Sequence, residues 1–241
     1  SPVESVNLTD GAHIVQIKAQ DTVGNTGGLP SSFRWTVDTT APTTTIDSAT
    51  DSHGKKIATN GNSSSNSITL AFSGNDTGVG INHFDCSIDN SNPVTCTSPT
   101  AVNSITDGKH TISVTAEDNS TNKDLSPSLF NWTVDTTPPT TTINSVEDVN
   151  QSTLSNGAST KSTSVIVAFS GTDASGVGID RYLCSIDNSN FVTCTSPVQF
   201  SNLKDGAHIL HLRAEDKVGN TGGSPSSFTW TVDTTPPATS I

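Results

Sequence analysis

Apolar and polar residues alternate in short runs along this chain. Ile68, Leu70 and Phe72 share one side of such a run with Thr69 and Ala71 between them, and Val165, Val167 and Phe169 repeat the arrangement. A period of two is that of a half-buried strand, whose successive side chains point to opposite faces. His110, Ile112, Val114 and Ala116 make another such face, and Phe130, Trp132 and Val134 a third. Polar turns containing Asp-Gly, Gly-Asn or Ser-Asn-Pro separate the runs every 10 to 15 residues or so, roughly the rhythm of an all-β sandwich. The pattern predicts strands near residues 44–48, 67–73, 81–88, 94–96, 101–105, 110–117 and 129–135.

The pattern also recurs at long range. Leu8-Thr9-Asp10-Gly11-Ala12-His13 returns at 105–110 and at 203–208, and Phe33-Arg34-Trp35-Thr36-Val37-Asp38-Thr39-Thr40 returns at 130–137 and at 228–235. The copies are offset by 97 and then 98 residues (33 to 130, 130 to 228). The extra residue lies where Asn75-Asp76-Thr77-Gly78-Val79 aligns with Thr172-Asp173-Ala174-Ser175-Gly176-Val177. Residues 41–137 and 138–235 are then complete repeats, residues 1–40 the C-terminal half of one, and residues 236–241 the first strand of another. About seven strands in each repeat predict an all-β chain of tandem immunoglobulin-like antiparallel β-sandwiches. The three strands expected in residues 1–40 cannot enclose a two-sheet core. Val15, Ile17, Phe33 and Trp35 are therefore expected to face water unless upstream residues or a neighbouring subunit supply the missing strands.

Four signatures keep a fixed order through the repeats: Cys86-Ser87-Ile88-Asp89 with Cys96-Thr97-Ser98-Pro99; the corner Thr106-Asp107-Gly108-Lys109-His110; the turn Ala214-Glu215-Asp216-Lys217-Val218-Gly219-Asn220; and the ending Trp-Thr-Val-Asp-Thr-Thr-Xaa-Pro. Over its whole length the chain resembles the prokaryotic Ig-like tandem repeats of giant cell-surface adhesins and extracellular fibre proteins. The resemblance implies a stalk or extender outside the cell, and some members bind calcium at the junctions between repeats. The chain differs from antibody domains, since its Trp sits on the last strand and its paired cysteines are only ten residues apart. The turn Asp118-Asn119-Ser120-Thr121-Asn122 lacks the glycine of the family's Gly-Asn.

Composition narrows the partners. With 11 basic against 23 acidic residues the net charge is -12, which opposes binding to phosphate backbones and favours cations. Ser and Thr make up about 30% of the chain, against 31% hydrophobic and 14% charged residues, a mixture that suits strands better than a helical bundle. No stretch approaches the roughly 20 apolar residues of a membrane helix, and no basic-then-apolar start marks a signal peptide. Met is absent, so a piece of a longer polypeptide is expected.

Cys86 and Cys96, and Cys184 and Cys194, each flank a turn between adjacent predicted strands. That placement suits a disulfide in an oxidising, extracytoplasmic compartment. Zinc is the alternative, but it needs four ligands and no His or further Cys recurs beside the pairs. His13, His110 and His208 occupy equivalent positions after the Asp-Gly turn, where an imidazole can hold the corner by a backbone hydrogen bond, as the tyrosine of a tyrosine corner does; the other reading makes them ligands or bases. His53, His83 and His211 do not recur, and no nucleophile elbow or metalloprotease motif is present. No lysine recurs at a strand position that would serve an isopeptide cross-link. These features point away from an enzyme. Asn7, Asn62, Asn75, Asn119, Asn131 and Asn150 stand in Asn-X-Ser/Thr sequons and are candidate glycosylation sites.

The recurring acids carry the most specific signal. Asp38 and Asp135 end the last strand of one repeat; Asp76 and Asp173 lie in the following repeat's second inter-strand loop, and Asp118 and Asp216 open its last hairpin loop. In an Ig-like sandwich these loops share one pole with the point where the preceding repeat ends. The topology therefore groups Asp38 with Asp76 and Asp118, and Asp135 with Asp173 and Asp216. Three carboxylates suit a hard Ca²⁺ ion; the local alternative is that each Asp caps its own turn. The linker Asp135-Thr136-Thr137-Pro138-Pro139 is short and stiffened by prolines, which suits a rod. The expectation is a structural protein: an extracellular or cell-surface array forming a fibre, filament or adhesin stalk, stiffened by disulfides and calcium, with further copies of the same repeat, in the same chain or in adjacent subunits, as partners. The competing expectation is a glycan- or receptor-binding module of an adhesin, for which exposed loop aromatics would be required.

Overall fold

A computed structural model describes residues 2, 4–174 and 176–239, and these described residues include no helix. Ser1, Val3, Ser175, Ser240 and Ile241 lie outside the described residues, and with them the inserted loop serine and the outermost parts of the expected segments 1–40 and 236–241. The strands are β1 (Gly11–Ile17), β2 (Ser31–Val37), β3 (Thr43–Asp51), β4 (Gly61–Ser63), β5 (Ile68–Asn75), β6 (Ile81–Ile88), β7 (Val94–Cys96), β8 (Thr100–Val102), β9 (Gly108–Asp118) and β10 (Ser128–Val134). The next series repeats the last eight: β11 (Thr140–Asp148), β12 (Ala158–Thr160), β13 (Val165–Thr172), β14 (Ile179–Ile186), β15 (Val192–Cys194), β16 (Val198–Phe200), β17 (Gly206–Asp216) and β18 (Ser226–Val232).

Two compact units result, one from Ser1–Asn60, Ser67–Asn103 and His110–Trp132, the other from Gly61–Asn66, Ser104–Lys109 and Thr133–Ile241. The second contains a complete two-sheet sandwich, with strand orders β11-β13-β16 and β12-β18-β17-β14-β15. The preceding repeat has the same orders, β3-β5-β8 and β4-β10-β9-β6-β7. Most neighbours are antiparallel, but β12 runs parallel to β18, with Ala158 opposite Trp230 and Thr160 opposite Val232. β11 and β3 each carry a bulge, between Ile143 and Ser145 and between Ile46 and Ser48.

Alternation places the core. Val146, Val165, Val167, Phe169, Leu210, Leu212, Trp230 and Val232 are buried together in the last sandwich. Burying one such side chain contributes about 1.5–3 kcal/mol, enough in sum to hold sheets that have few charged residues.

Three features depart from the alternation pattern. Strands β4 and β12 lack an apolar period, being only Gly-Asn-Ser and Ala-Ser-Thr, and the parallel pairing of β12 needs no hairpin turn to announce it. Residues 103–105 are not strand: Ile105 is buried, but its N–H donates to the Asn66 carbonyl across a loop (3.0 Å). Residues 4–10 and 236–239 form no strand either, so the described part of 1–40 has two strands where three were expected, and no first strand is seen at 236–239.

In the β1–β2 hairpin, Val15 pairs with Phe33 and His13 with Trp35. Phe33 is 65% exposed and Ile17 64%, whereas their equivalents Phe130 and Val114 are 5% and 0% exposed. Val15 and Trp35 are half-buried, Trp35 because its ring stacks on those of Phe33 (5.8 Å) and His13 (5.6 Å).

Candidate functional site: carboxylate triads at the repeat junctions

Each triad forms because three chain segments end at one pole. Asp38 directly follows β2, Asp76 lies in the β5–β6 loop, and Asp118 is the last residue of β9. Asp135 follows β10, Asp173 lies in the β13–β14 loop, and Asp216 ends β17. In both groups one carboxylate oxygen from each residue lies within 4.8 Å of the other two. Asp38, Asp118, Asp135 and Asp216 are buried, and Asp76 and Asp173 half-buried.

Backbone amides hold the carboxylates in place. Asp38 Oδ2 accepts from the Val79 N–H (2.9 Å) and Asp38 Oδ1 from the Thr40 N–H (3.1 Å). Asp76 Oδ2 accepts from the N–H groups of Gly78 (3.0 Å) and Gly80 (2.7 Å). Asp118 Oδ1 accepts from Ser120 and Asn122 N–H, and the Asn122 side-chain amide donates to Asp118 Oδ2 (2.8 Å) and to the Asp38 carbonyl (3.1 Å). The second triad repeats the design. Val177 N–H donates to Asp135 Oδ2 (2.9 Å), and the Asn220 side chain donates to Asp216 Oδ2 (2.7 Å) and to the Asp135 carbonyl (2.8 Å). Each Asp therefore caps a turn and belongs to a triad, so the two sequence readings do not compete.

Two observations fit the triads to a cation. Asp76 Oδ1 and Asp173 Oδ1 are buried with no hydrogen-bond partner among the described residues, and a buried carboxylate oxygen left without a partner is costly. A Cβ at Gly78 would collide with the Asp38 carboxylate, and one at Gly176 with those of Asp135 and Asp173. The loops thus require glycine for close approach. Burial holds the Asp135 carboxyl above the usual carboxylate range, and the charges of Asp173 and Asp216 add to this against hydrogen bonds from Val177 and Thr137. At Asp118 burial acts in the same direction but is outweighed by the bonds from Asn122 and Ser120, which hold that carboxyl below the usual range. Six to eight oxygens are what Ca²⁺ takes; each triad offers one ligand oxygen from each of three carboxylates.

The turn without glycine keeps the geometry of its counterparts. Thr121 has φ of 70°, where Gly24 and Gly219 have 94° and 97°.

A second clamp, not foreseen from the sequence, holds the same linkers. Asp10 Oδ1 accepts from the backbone and hydroxyl of Thr39 (3.1 and 2.9 Å), and Asp10 Oδ2 from the Thr40 hydroxyl (2.8 Å). Asp107 does the same with Thr136 and Thr137, and Asp205 with Thr234 and Thr235. The threefold recurrence of Asp-Gly and of Asp-Thr-Thr was the available signal. Nothing in either motif indicates that they meet.

Cys86 is bonded to Cys96 and Cys184 to Cys194. Each bond crosses its hairpin diagonally, since Cys86 lies opposite Val94 and Cys184 opposite Val192. Of the sequon residues, Asn7, Asn75 and Asn150 are exposed, while Asn62 and Asn131 are half-buried. The Asn119 amide donates to the carbonyls of Val79 and Gly80, and Asn131 Oδ1 accepts from the Thr111 hydroxyl. His83, Asp85 and Glu117 also bring ligand atoms together, but Lys123 Nζ, 3.1 Å from Glu117 and 3.5 Å from Asp85, already pairs with both carboxylates.

The model of the bacterial Ig-like domain (group 3) matches residues 4–77 and again residues 97–172, together more than half of the chain. The chain belongs to the bacterial Ig-like domain family. Each group 3 Ig-like match contains one Asp-Thr-Thr linker and ends at or just before the loop that carries Asp76 or Asp173. Among solved structures, the chain is similar to a Ca²⁺-stabilized adhesin that helps an Antarctic bacterium bind ice, at 19% identity over 94% of this chain and 58% of that one (TM-score 0.42). It is also similar to a 1.5-MDa bacterial ice-binding adhesin, at 17% identity over 93% of this chain and 76% of that one (TM-score 0.40). A third similarity is to the fibronectin(III)-like modules of Clostridium thermocellum CbhA, at 14% identity over 79% of this chain and 94% of theirs (TM-score 0.38). No curated protein sequence matches the chain.

Proposed function

We propose that this chain is a segment of an extracellular stalk or fibre, a structural and non-catalytic array whose junctions are stiffened by calcium. The observation that carries the reading is the double anchoring of the linkers. Thr39 and Thr40 are tied to Asp10 on one side, while Asp38 is tied to Val79 and Asn122 on the other. A five-residue linker bonded at both ends transmits orientation and load from one repeat to the next, which a flexible tether cannot do. The disulfides suit an oxidising, extracellular location.

Calcium would be held by Asp38, Asp76 and Asp118, and by Asp135, Asp173 and Asp216. It would offset two of the three converging negative charges in each triad and give Asp76 Oδ1 and Asp173 Oδ1 their missing partner. The repeat boundaries that follow are 41–137 and 138–235, with residues 1–40 the second half of a repeat. The apolar face of β1–β2 would be covered by the β3-β5-β8 type of sheet from a further copy of the repeat, in the same chain or an adjacent subunit. Small-angle scattering tests the stalk reading. The maximum dimension should stay fixed with Ca²⁺ present and spread to a broader distribution in EDTA or in Asp107→Ala. An unchanged, broad distribution under all three conditions would reject it.

A further inference from the structure

His208 is held by two groups that can only accept. Its Nδ1 lies 2.8 Å from Asp187 Oδ2 and its Nε2 lies 2.8 Å from the Lys204 carbonyl oxygen. A neutral imidazole has one N–H, so satisfying both acceptors requires a proton on each nitrogen. The ring also lies tilted against that of Trp230, with centroids 5.6 Å apart, inside the range of about 6 Å at which an aromatic face favours a cation. His110 repeats the arrangement, with Nδ1 2.8 Å from Asp89 Oδ2 and its ring 5.5 Å from Trp132.

The acid that faces the ring belongs to the turn of the disulfide hairpin. Asp187 and Asn188 have φ of 52° and 59°, the paired left-handed centre of a tight turn that the Ser189 N–H closes by donating to the Ile186 carbonyl (2.9 Å). Asp187 Oδ1 accepts from the Ile209 N–H (3.0 Å), and the Asp187 N–H donates to the Ile209 carbonyl (2.8 Å). Asp187 thus joins the β14–β15 turn to β17, and His208 completes the joint.

We propose that His208 is a charged latch: an imidazolium that fastens the turn of the Cys184–Cys194 hairpin to strand β17 and to the corner at Lys204, and that releases this turn when it loses its proton. Other charges near the ring are few. The Asp205 carboxylate is occupied by Thr234 and Thr235, Lys204 contributes only its carbonyl, and neither β18 nor its parallel neighbour β12 carries a charged residue. Burial disfavours the charged ring, but the bonds to Lys204 and Asp187 and the Asp187 charge outweigh it and raise its pKa above the usual value. The sign follows from that direction. A raised folded-state pKa gives stability that is complete below about 6.5 and is lost as pH rises through the folded-state value.

The test is nitrogen-resolved NMR of His208 in the intact chain, with amide exchange at Asp187 and Ile209. The account expects the ring with both nitrogens protonated to predominate at pH 6.5, a titration above that pH, and a lower titration midpoint in Asp187→Asn. It also expects exchange at the two amides, corrected for the intrinsic effect of pH, to quicken by roughly tenfold once the proton is lost. His208→Gln, which keeps a donor for the Lys204 carbonyl but never titrates, should abolish this pH dependence. A ring neutral at pH 6.5, or a titration unchanged in Asp187→Asn, overturns the proposal. The wild-type titration decides the matter even where a variant fails to fold.

Discussion

Asp135 and Val177, 42 residues apart in sequence, are joined by a 2.9 Å hydrogen bond from the Val177 amide to Asp135 Oδ2. The residue that closes one repeat is thereby built into the loop of the next. The same carboxylate is fully buried and lies within reach of Asp173 and Asp216, so it links the two repeats and also concentrates negative charge.

That double role makes Asp135→Asn informative. The amide oxygen can still accept from Val177, but one of three converging charges is gone. The expected outcome is an unchanged or raised melting temperature in EDTA and a smaller gain on adding Ca²⁺ than in the wild type. Calorimetric melts under both conditions check it.

Acid should act on metal-free protein in two opposed ways. The Asp135 carboxyl is raised, mainly by burial, so its ionised form destabilises the fold and protonation relieves this as pH falls through its folded-state value. The Asp107 carboxyl is lowered, because bonds from Thr137 and Thr136 outweigh burial. Its stabilising effect is present above the unfolded value of 3.8 and is lost as pH falls below it. Asp107→Asn should therefore flatten the acid limb of a melting-temperature profile, whereas Asp135→Asn should flatten the part above it.

Thr121 gives a test of backbone strain. A β-branched residue with φ of 70° sits in a region that only glycine enters freely. Thr121→Gly should stabilise the chain by about 1 kcal/mol, read as a higher midpoint in urea with an unchanged slope.

The sequence alone makes the triads legible because the argument is topological. Once the strand order of an Ig-like sandwich is granted, Asp38, Asp76 and Asp118 must converge whatever their local turns look like. The partners of those acids are not legible in the same way. Asn122 looks like an ordinary turn residue, yet its amide reaches the Asp38 carbonyl 84 positions away. Asp10 belongs to a common Asp-Gly turn, and only the fold brings it to Thr39 and Thr40. Strands β4 and β12 were hidden for a different reason: three polar or small residues show no period, and the neighbouring last strand determines their pairing.

Equivalent phenylalanines should respond very differently to truncation. Phe130→Ala, at a site 5% exposed, should cost about 3–5 kcal/mol. Phe33→Ala, at a site 65% exposed in this chain, should change stability by no more than about 0.5 kcal/mol. A large loss at Phe33 would mean that its face is already covered in solution.

Removing one disulfide through the paired changes Cys184→Ala and Cys194→Ala should lower stability by about 2–3 kcal/mol, the loop-closure entropy of so short a ring. The effect should match that of reducing the wild-type bond, and denaturant unfolding with and without reductant measures both.

Calcium titration of the EDTA-stripped chain by isothermal calorimetry tests the central claim most directly. The account predicts saturable binding at two sites per chain, with one site lost in Asp76→Asn and the other in Asp173→Asn. The absence of saturable heat up to about millimolar Ca²⁺, the weak end of extracellular calcium modules, together with identical melting in Ca²⁺ and EDTA, would contradict it.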